Sequence, residues 1–136
     1  MTDAMIISPA DRLGIEPGQL VLEVGRGDDS DADVRASVEA RTGRTLAGEG
    51  VDGEADAALL WFREGDGDLV DTITDVSASL SGAGVLWVLT PKSGRDGYVE
   101  PSEIAESATM AGMAQTSAAA IAADWSGTRL VKPNRR

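Results

Sequence analysis

Short apolar runs alternate with stretches of helical period along most of this chain, and that alternation leaves very few folds open to it. Val85-Leu86-Trp87-Val88-Leu89-Thr90 is apolar almost throughout, the pattern of a central parallel strand covered on both faces. Ala57-Ala58-Leu59-Leu60-Trp61-Phe62 and Gln19-Leu20-Val21-Leu22-Glu23-Val24, the latter closed by Gly25, read as two further buried strands. Leu69, Ile73, Val76 and Leu80 recur at helical spacing between two of these runs. They predict a helix with one apolar face on a sheet, with Asp68, Asp71 and Asp75 toward water and Gly82 and Gly84 as its close.

The remaining segments extend the pattern. Ser8-Pro9-Ala10-Asp11 predicts a short helix: Ser8 caps, Pro9 suits the first helical position, Asp11 reaches back, and Gly14 ends it. A second helix is expected over Asp31 to Arg41, with Val34 and Val38 on its inner face and Gly43 beyond. Thr42 to Asp56 is rich in Gly and acid and holds at most a short edge strand near Thr45-Leu46-Ala47. A weaker helix starts at Ser102 and runs through Ile104 and Ala108 to about Met110. The end reads as a hairpin of Gln115 to Ala122 and Thr128 to Lys132, joined by Asp124-Trp125-Ser126-Gly127. Parallel strands need covered crossovers, so the expected fold is α/β: a small three-layer, mostly parallel Rossmann-like sheet of about five strands ending in an antiparallel hairpin. The expected order is first strand, Ala57 strand, Val85 strand, Thr128 strand, Gln115 strand, with the Thr128 strand alone antiparallel. Residues 1–132 are expected to form one domain and 133–136 a flexible basic tail.

Composition narrows the function. The chain has 12 basic and 23 acidic residues, a net charge of -11, and a field of that sign repels phosphate backbones, which argues against nucleic acid. There is no Cys and no His, which removes disulfides, Cys/His zinc sites and the usual general base. Met1 to Ile15 lacks the basic-then-apolar pattern of a signal peptide, and no apolar run is long enough to span a membrane, so a cytoplasmic protein is expected. Leu, Ile, Val and Phe total 29 of 136 residues, which predicts a thin core filled out with alanine.

The strand and helix order resembles the core of the class I methyltransferases, shortened by one strand-helix unit after the first helix. Val21-Leu22-Glu23-Val24-Gly25-Arg26-Gly27 is similar to the opening of the cofactor loop in that superfamily, where bare backbone lets S-adenosylmethionine approach a strand end. Asp29 stands where a third glycine would fall, and no residue offers itself as the ribose-holding acid. The two glycines therefore read first as a turn and second as a working cofactor loop. Asp29, Asp31 and Asp33 have the alternation of a calcium loop, but Val34 and Ala40 occupy the positions that need Gly and Glu; a helix-capping acidic cluster is the better reading. Trp61 and Trp87 read as core. Trp125, in a polar turn, is the one expected to be exposed or to plug a strand end. Without His no hydrolase triad can be assembled, and Lys92 beside Ser93 is only a sequence neighbour.

Several stretches spread over nearly the whole chain form a second pattern: Arg12-Leu13-Gly14-Ile15 with Pro17-Gly18, Leu59-Leu60-Trp61-Phe62-Arg63-Glu64, Gly67-Asp68-Leu69-Val70-Asp71 and Trp87-Val88-Leu89-Thr90-Pro91-Lys92. It continues in Gly94-Arg95, Val99 to Glu106 and Trp125-Ser126-Gly127-Thr128-Arg129-Leu130-Val131. On these the chain resembles DUF3052, an uncharacterised family of high-GC Gram-positive bacteria. The resemblance implies a cytoplasmic protein and brings no activity. The expected function is a non-catalytic binding or regulatory module, with a protein partner that is basic; the alternative is a small S-adenosylmethionine-dependent methyltransferase or other nucleotide-ligand enzyme. Either would use the strand ends, where Gly25, Gly27, Asp28, Asp29, Arg63, Thr90 and Lys92 are the candidates. Two aspartates there should repel an anionic cofactor, with Lys92 and Arg95 offsetting little of that, so an open but unsuitable edge is expected.

Overall fold

The computed structural model describes residues 8–48 and 55–133. Among these residues nine elements follow one another: α1 (Pro9–Leu13), β1 (Val21–Val24), α2 (Ala32–Thr42), β2 (Ala55–Trp61), α3 (Leu69–Ser77), β3 (Leu80–Pro91), α4 (Pro101–Met110), β4 (Ala114–Ala120) and β5 (Trp125–Val131). The sheet runs β1-β2-β3-β5-β4. β1, β2 and β3 are parallel, and β5 is antiparallel to both β3 and β4. This is the expected order, with β5 inserted between β3 and the hairpin's first strand.

Local chemistry sets the helix ends. The Ser8 hydroxyl accepts from the Asp11 N–H while the Asp11 carboxylate accepts from the Ser8 N–H, and Gly14 ends α1 in the left-handed region. Asp31 caps α2 by accepting from the Val34 N–H, Gly43 closes it at φ 76°, and Asp68 caps α3 in the same way as Asp31. Asp31 is thus engaged as a cap, in keeping with the capping reading of the acidic run. The expected edge strand near Thr45 is a single parallel bridge, Leu22 with Ala47.

Helices cover both faces and define two cores. On one face Leu60, Leu86 and Leu130 of the sheet pack against Ile73 and Val76 of α3 and Ile104 of α4. On the other, Leu59, Trp61 and Trp87 of the sheet pack with Leu13 of α1 and Val34 and Val38 of α2, and the buried Trp87 Nε1 donates to the Leu13 carbonyl at 3.0 Å. Full burial of one Leu or Ile contributes roughly 1.5–3 kcal/mol, so these two layers dominate the stability.

Two expectations need correction. Leu80 is buried in the same core as Ile73, but it opens β3 opposite Ala55 instead of closing α3. Thr72, Thr74 and Ser77 turn their hydroxyls onto carbonyls of the preceding turn, which makes for a weak helix end, and Leu80 is buried equally well on a strand. Gly82 and Gly84 therefore lie within β3. At Gly84 a side chain would press on Leu80 and the Ala55 carbonyl. Likewise Trp125, Ser126 and Gly127 belong to β5, pairing with Pro91, Thr90 and Leu89, so the hairpin turn is confined to residues 121–124. Three of the four residues that read as a turn are here strand because Trp125 is buried.

Candidate functional site

In an open α/β sheet a ligand crevice opens at the carboxyl ends of the strands, where successive crossovers depart to opposite sides. That point lies between β1 and β2. From β1 the chain passes through α2 to Ala47 on the outer side of β1, and from β2 through α3 to β3 on the inner side. The loop Gly25–Ser30, the turn after Trp61 and the start of β5 surround it.

The side chain of Arg63 fills this crevice. One guanidinium nitrogen, Nη1, donates to the carbonyls that end the two strands, Gly25 O at 2.8 Å and Trp61 O at 3.3 Å. Nε and Nη2 hold the Asp29 carboxylate at 2.9 and 2.6 Å, the forked geometry that suits arginine and not lysine. Asp66 and the Ser30 hydroxyl complete the shell at 3.2 and 3.3 Å. The guanidinium carbon also stands 5.3 Å from the ring centre of Trp125, within cation–π range. Only 17% of the Arg63 side chain is exposed. Hydrogen bonds from Arg63 hold the Asp29 carboxyl below its ordinary range against the opposing effect of burial. The same bonds raise Arg63 above an already permanent charge.

A second set of contacts braces the first. Trp125 Nε1 donates to the Asp29 carbonyl at 3.2 Å, and its ring meets Trp61 edge-on at 4.8 Å. Trp61 Nε1 in turn donates to Glu23 at 2.9 Å, on the same oxygen that accepts from Arg35 Nε at 2.6 Å. Glu23 is 8% exposed, and a carboxylate that deep is stable only with such donors.

The candidate residues separate into two groups. Gly25, Gly27, Asp29 and Arg63 come together. Gly25 sits at φ 83°, where a side chain would collide with the Trp61 carbonyl, so its bare backbone serves the close approach of loop to strand. At Gly27 a Cβ would stand 3.1 Å from Arg63 Nη2 and 3.2 Å from Asp29 Oδ1; the missing side chain makes room for the chain's own arginine. Asp28 is in the same loop but exposed, with no ion pair among the described residues. Thr90 is buried opposite Ser126 and lines a separate groove of about 280 Å³ with Tyr98 and Ile104. Lys92 engages by its backbone, donating to the Asp124 carbonyl at 2.9 Å. Arg63 thus neutralises Asp29 between the two strand ends, and beside it Asp29, Pro91, Arg95, Asp124 and Trp125 line a cavity of about 240 Å³ in which Arg95 pairs with Asp124. Trp125 plugs the strand end, one of its two expected placements. Glu23, Arg35, Ser30 and Asp66 were not anticipated. A lone acid inside an apolar strand run was the available signal for Glu23, because such a group must find a donor.

An α/β sheet of this order with helices on both faces defines a methyltransferase-like core, and solved structures agree. The chain superposes on a SAM-dependent methyltransferase from Aquifex aeolicus with a TM-score of 0.59 and 12% identity, covering 95% of this chain and 92% of that one. It is similar to the geranyl diphosphate C-methyltransferase of Streptomyces coelicolor with a TM-score of 0.65 and 10% identity, over 90% of this chain and 76% of that one. Identity at this level shows the fold alone. The chain itself belongs to the family described as "Protein of unknown function (DUF3052)", which it matches over residues 10–134. Uncharacterised proteins of Mycobacterium tuberculosis and Mycobacterium bovis are 47% identical to it over 127 residues, 93% of this chain and 80% of theirs. No helix among the described residues is long and apolar enough to cross a membrane.

Proposed function

We propose that this chain is a non-catalytic binding or regulatory module of the cytoplasm, built on a methyltransferase-like frame, and that a basic protein segment meets the acidic rim of its strand ends. One observation carries the reading. Arg63 occupies the crevice between β1 and β2 and spends its donors on the chain's own carbonyls and on Asp29. The residues present do not fit the S-adenosylmethionine that the fold family implies. The bare backbone of the loop is taken up by contact with Trp61 and Arg63, and the acid facing the crevice already has its cation.

The rim outside this plug supports a basic partner. Asp28, Glu64, Asp68 and Asp96 are exposed around it and outnumber the exposed cations there, Arg26 and Arg95, on a chain of net charge -11. A surface of that sign speeds encounter with cationic partners and disfavours anionic ones. The methyltransferase alternative is supported by fold likeness, and it requires Arg63 to leave its pocket.

Calorimetric titration with S-adenosylmethionine and S-adenosylhomocysteine separates the two. The expected result is no saturable heat below millimolar ligand. Binding of either in the micromolar range overturns the non-catalytic reading.

A further inference from the structure

β4 is the outermost strand, and Gln115 through Ala120 are exposed on both faces. It belongs to the uncharged run Ser107–Ala123, which also holds Met110, a large apolar side chain that is 74% exposed. The N–H groups of Ile121 and Ala122 both donate to the Trp125 carbonyl. By the alternation of an antiparallel ladder, Ser117 and Ala119 then point their backbone groups at β5 and Ala118 and Ala120 point theirs outward. At the other edge of the sheet, β1 is covered by the Ala47 bridge.

Two arginines mark the ends of this edge, which pairs with no further strand among the described residues. Arg12, on α1, donates to the Ala120 carbonyl at 3.2 Å. Arg129, on β5, donates to the Thr116 hydroxyl at 2.9 Å, where one extra residue bulges the strand. Among the described residues neither has a carboxylate within ion-pair distance, a state they share with Arg26 and Arg44, whereas Arg35, Arg41, Arg63 and Arg95 are each paired. Among the described residues, two cations thus stand without a carboxylate partner at one strand of an acidic chain, roughly 13 Å apart along it.

We propose that this edge docks an extended acidic segment of a partner protein, which adds as a sixth strand beside β4 and sets two carboxylates, four residues apart, on Arg12 and Arg129. Strand addition draws affinity from main-chain hydrogen bonds and specificity from the flanking side chains. A second copy of the chain fits poorly. Antiparallel self-pairing brings the Ala120 end of one strand to the Thr116 end of the other, and so places Arg12 against Arg129. This surface is distinct from the strand-end rim and does not depend on the reading of the crevice.

The test is an NMR titration of the labelled full chain with a capped peptide, Thr-Glu-Val-Thr-Val-Glu-Thr, and with its counterpart carrying Lys in place of Glu. The Glu peptide should shift amides at Thr116 to Ala120 and the Lys peptide should not. Added salt should weaken the effect, and Arg12→Gln or Arg129→Gln should each weaken binding by about 1.5- to 5-fold, the range of an exposed ion pair. Equal binding of the two peptides overturns the proposal, as does the absence of shifts at millimolar Glu peptide. Concentration-dependent shifts of β4 in the free protein also overturn it, by assigning the edge to a second copy. The comparison of the two peptides is made on the unaltered chain, so it stands even if a variant folds badly.

Discussion

Replacing Arg63 by alanine tests the central feature of the site. The substitution removes donors from the Gly25 and Trp61 carbonyls, uncovers Asp29 and Asp66, and strips a cation from the ring of Trp125. The carboxylates are 55% and 38% exposed, so their ion pairs contribute little, up to about 1 kcal/mol each. The carbonyl bonds carry a charged donor, for which about 1.5–3 kcal/mol is usual, but the Gly25 bond is exposed and the Trp61 bond part-buried, so the lower end applies. The contact with buried Trp125 adds about 0.5–2 kcal/mol. One guanidinium makes all of these, so they do not simply add; a total loss of about 2–4 kcal/mol is expected. For a chain of this size that lowers the melting temperature by about 6–12 °C. Urea denaturation and scanning calorimetry measure it, with Arg63→Lys as comparator. Lysine restores the charge without the fork and should recover less than half of the loss. A loss under about 0.5 kcal/mol for alanine, the range of an ordinary surface change, would refute the plug. Full recovery by lysine would reduce it to simple charge neutralisation.

Two further outcomes follow from the same structure. Ile73 is fully buried on the inner face of α3, so Ile73→Ala should cost about 2–4 kcal/mol of stability, read from the denaturation midpoint, while Asp75→Ala on the wet face should change it little. Asp29 and Asp11 are held below the ordinary carboxyl range, chiefly by hydrogen bonds from Arg63 and Arg41 respectively. A depressed folded value gives stability that is present above the unfolded value of about 3.9 and is lost as pH falls through the folded one. Urea midpoints should therefore decline below about pH 4, and more shallowly in Arg63→Ala, which has already lost the Asp29 part.

Most of the fold was legible because its signals are local. Near-continuous apolar runs placed β2 and β3 in the middle of the sheet, and Ser8, Asp11, Gly14 and Gly43 fixed helix ends through bonds made within a few residues. Leu80 shows the limit of periodicity. Its spacing from Val76 satisfies a helix, yet the backbone is already extended, because burial in the shared core is available from either geometry. The strand start at Trp125 was hidden for a related reason: Asp124, Ser126 and Gly127 are turn formers, and only the pocket of Trp61 and Arg63 explains why Trp125 is buried. That pocket is assembled from residues 34 and 96 apart in sequence, Asp29 with Arg63 and Asp29 with Trp125. Periodicity carries no information on such contacts.

The acidity of the loop also changes meaning once Arg63 is in place. Two aspartates beside a strand end suggest repulsion of an anionic ligand, and by that logic Asp28→Gly with Asp29→Gly would open the site. The geometry argues otherwise. Asp29 is the anion that holds Arg63 over the carbonyls of Gly25 and Trp61, so removing it leaves a guanidinium still bonded to both strand ends and still covering the crevice. The arginine covers the crevice, and the aspartate strengthens its hold. Arg63→Ala is thus the change that would create a vacancy, and the crevice it leaves would face the Asp29 carboxylate with no cation to balance it. An anionic cofactor would be disfavoured there too, whereas a cationic side chain from a partner could take the place that Arg63 had held.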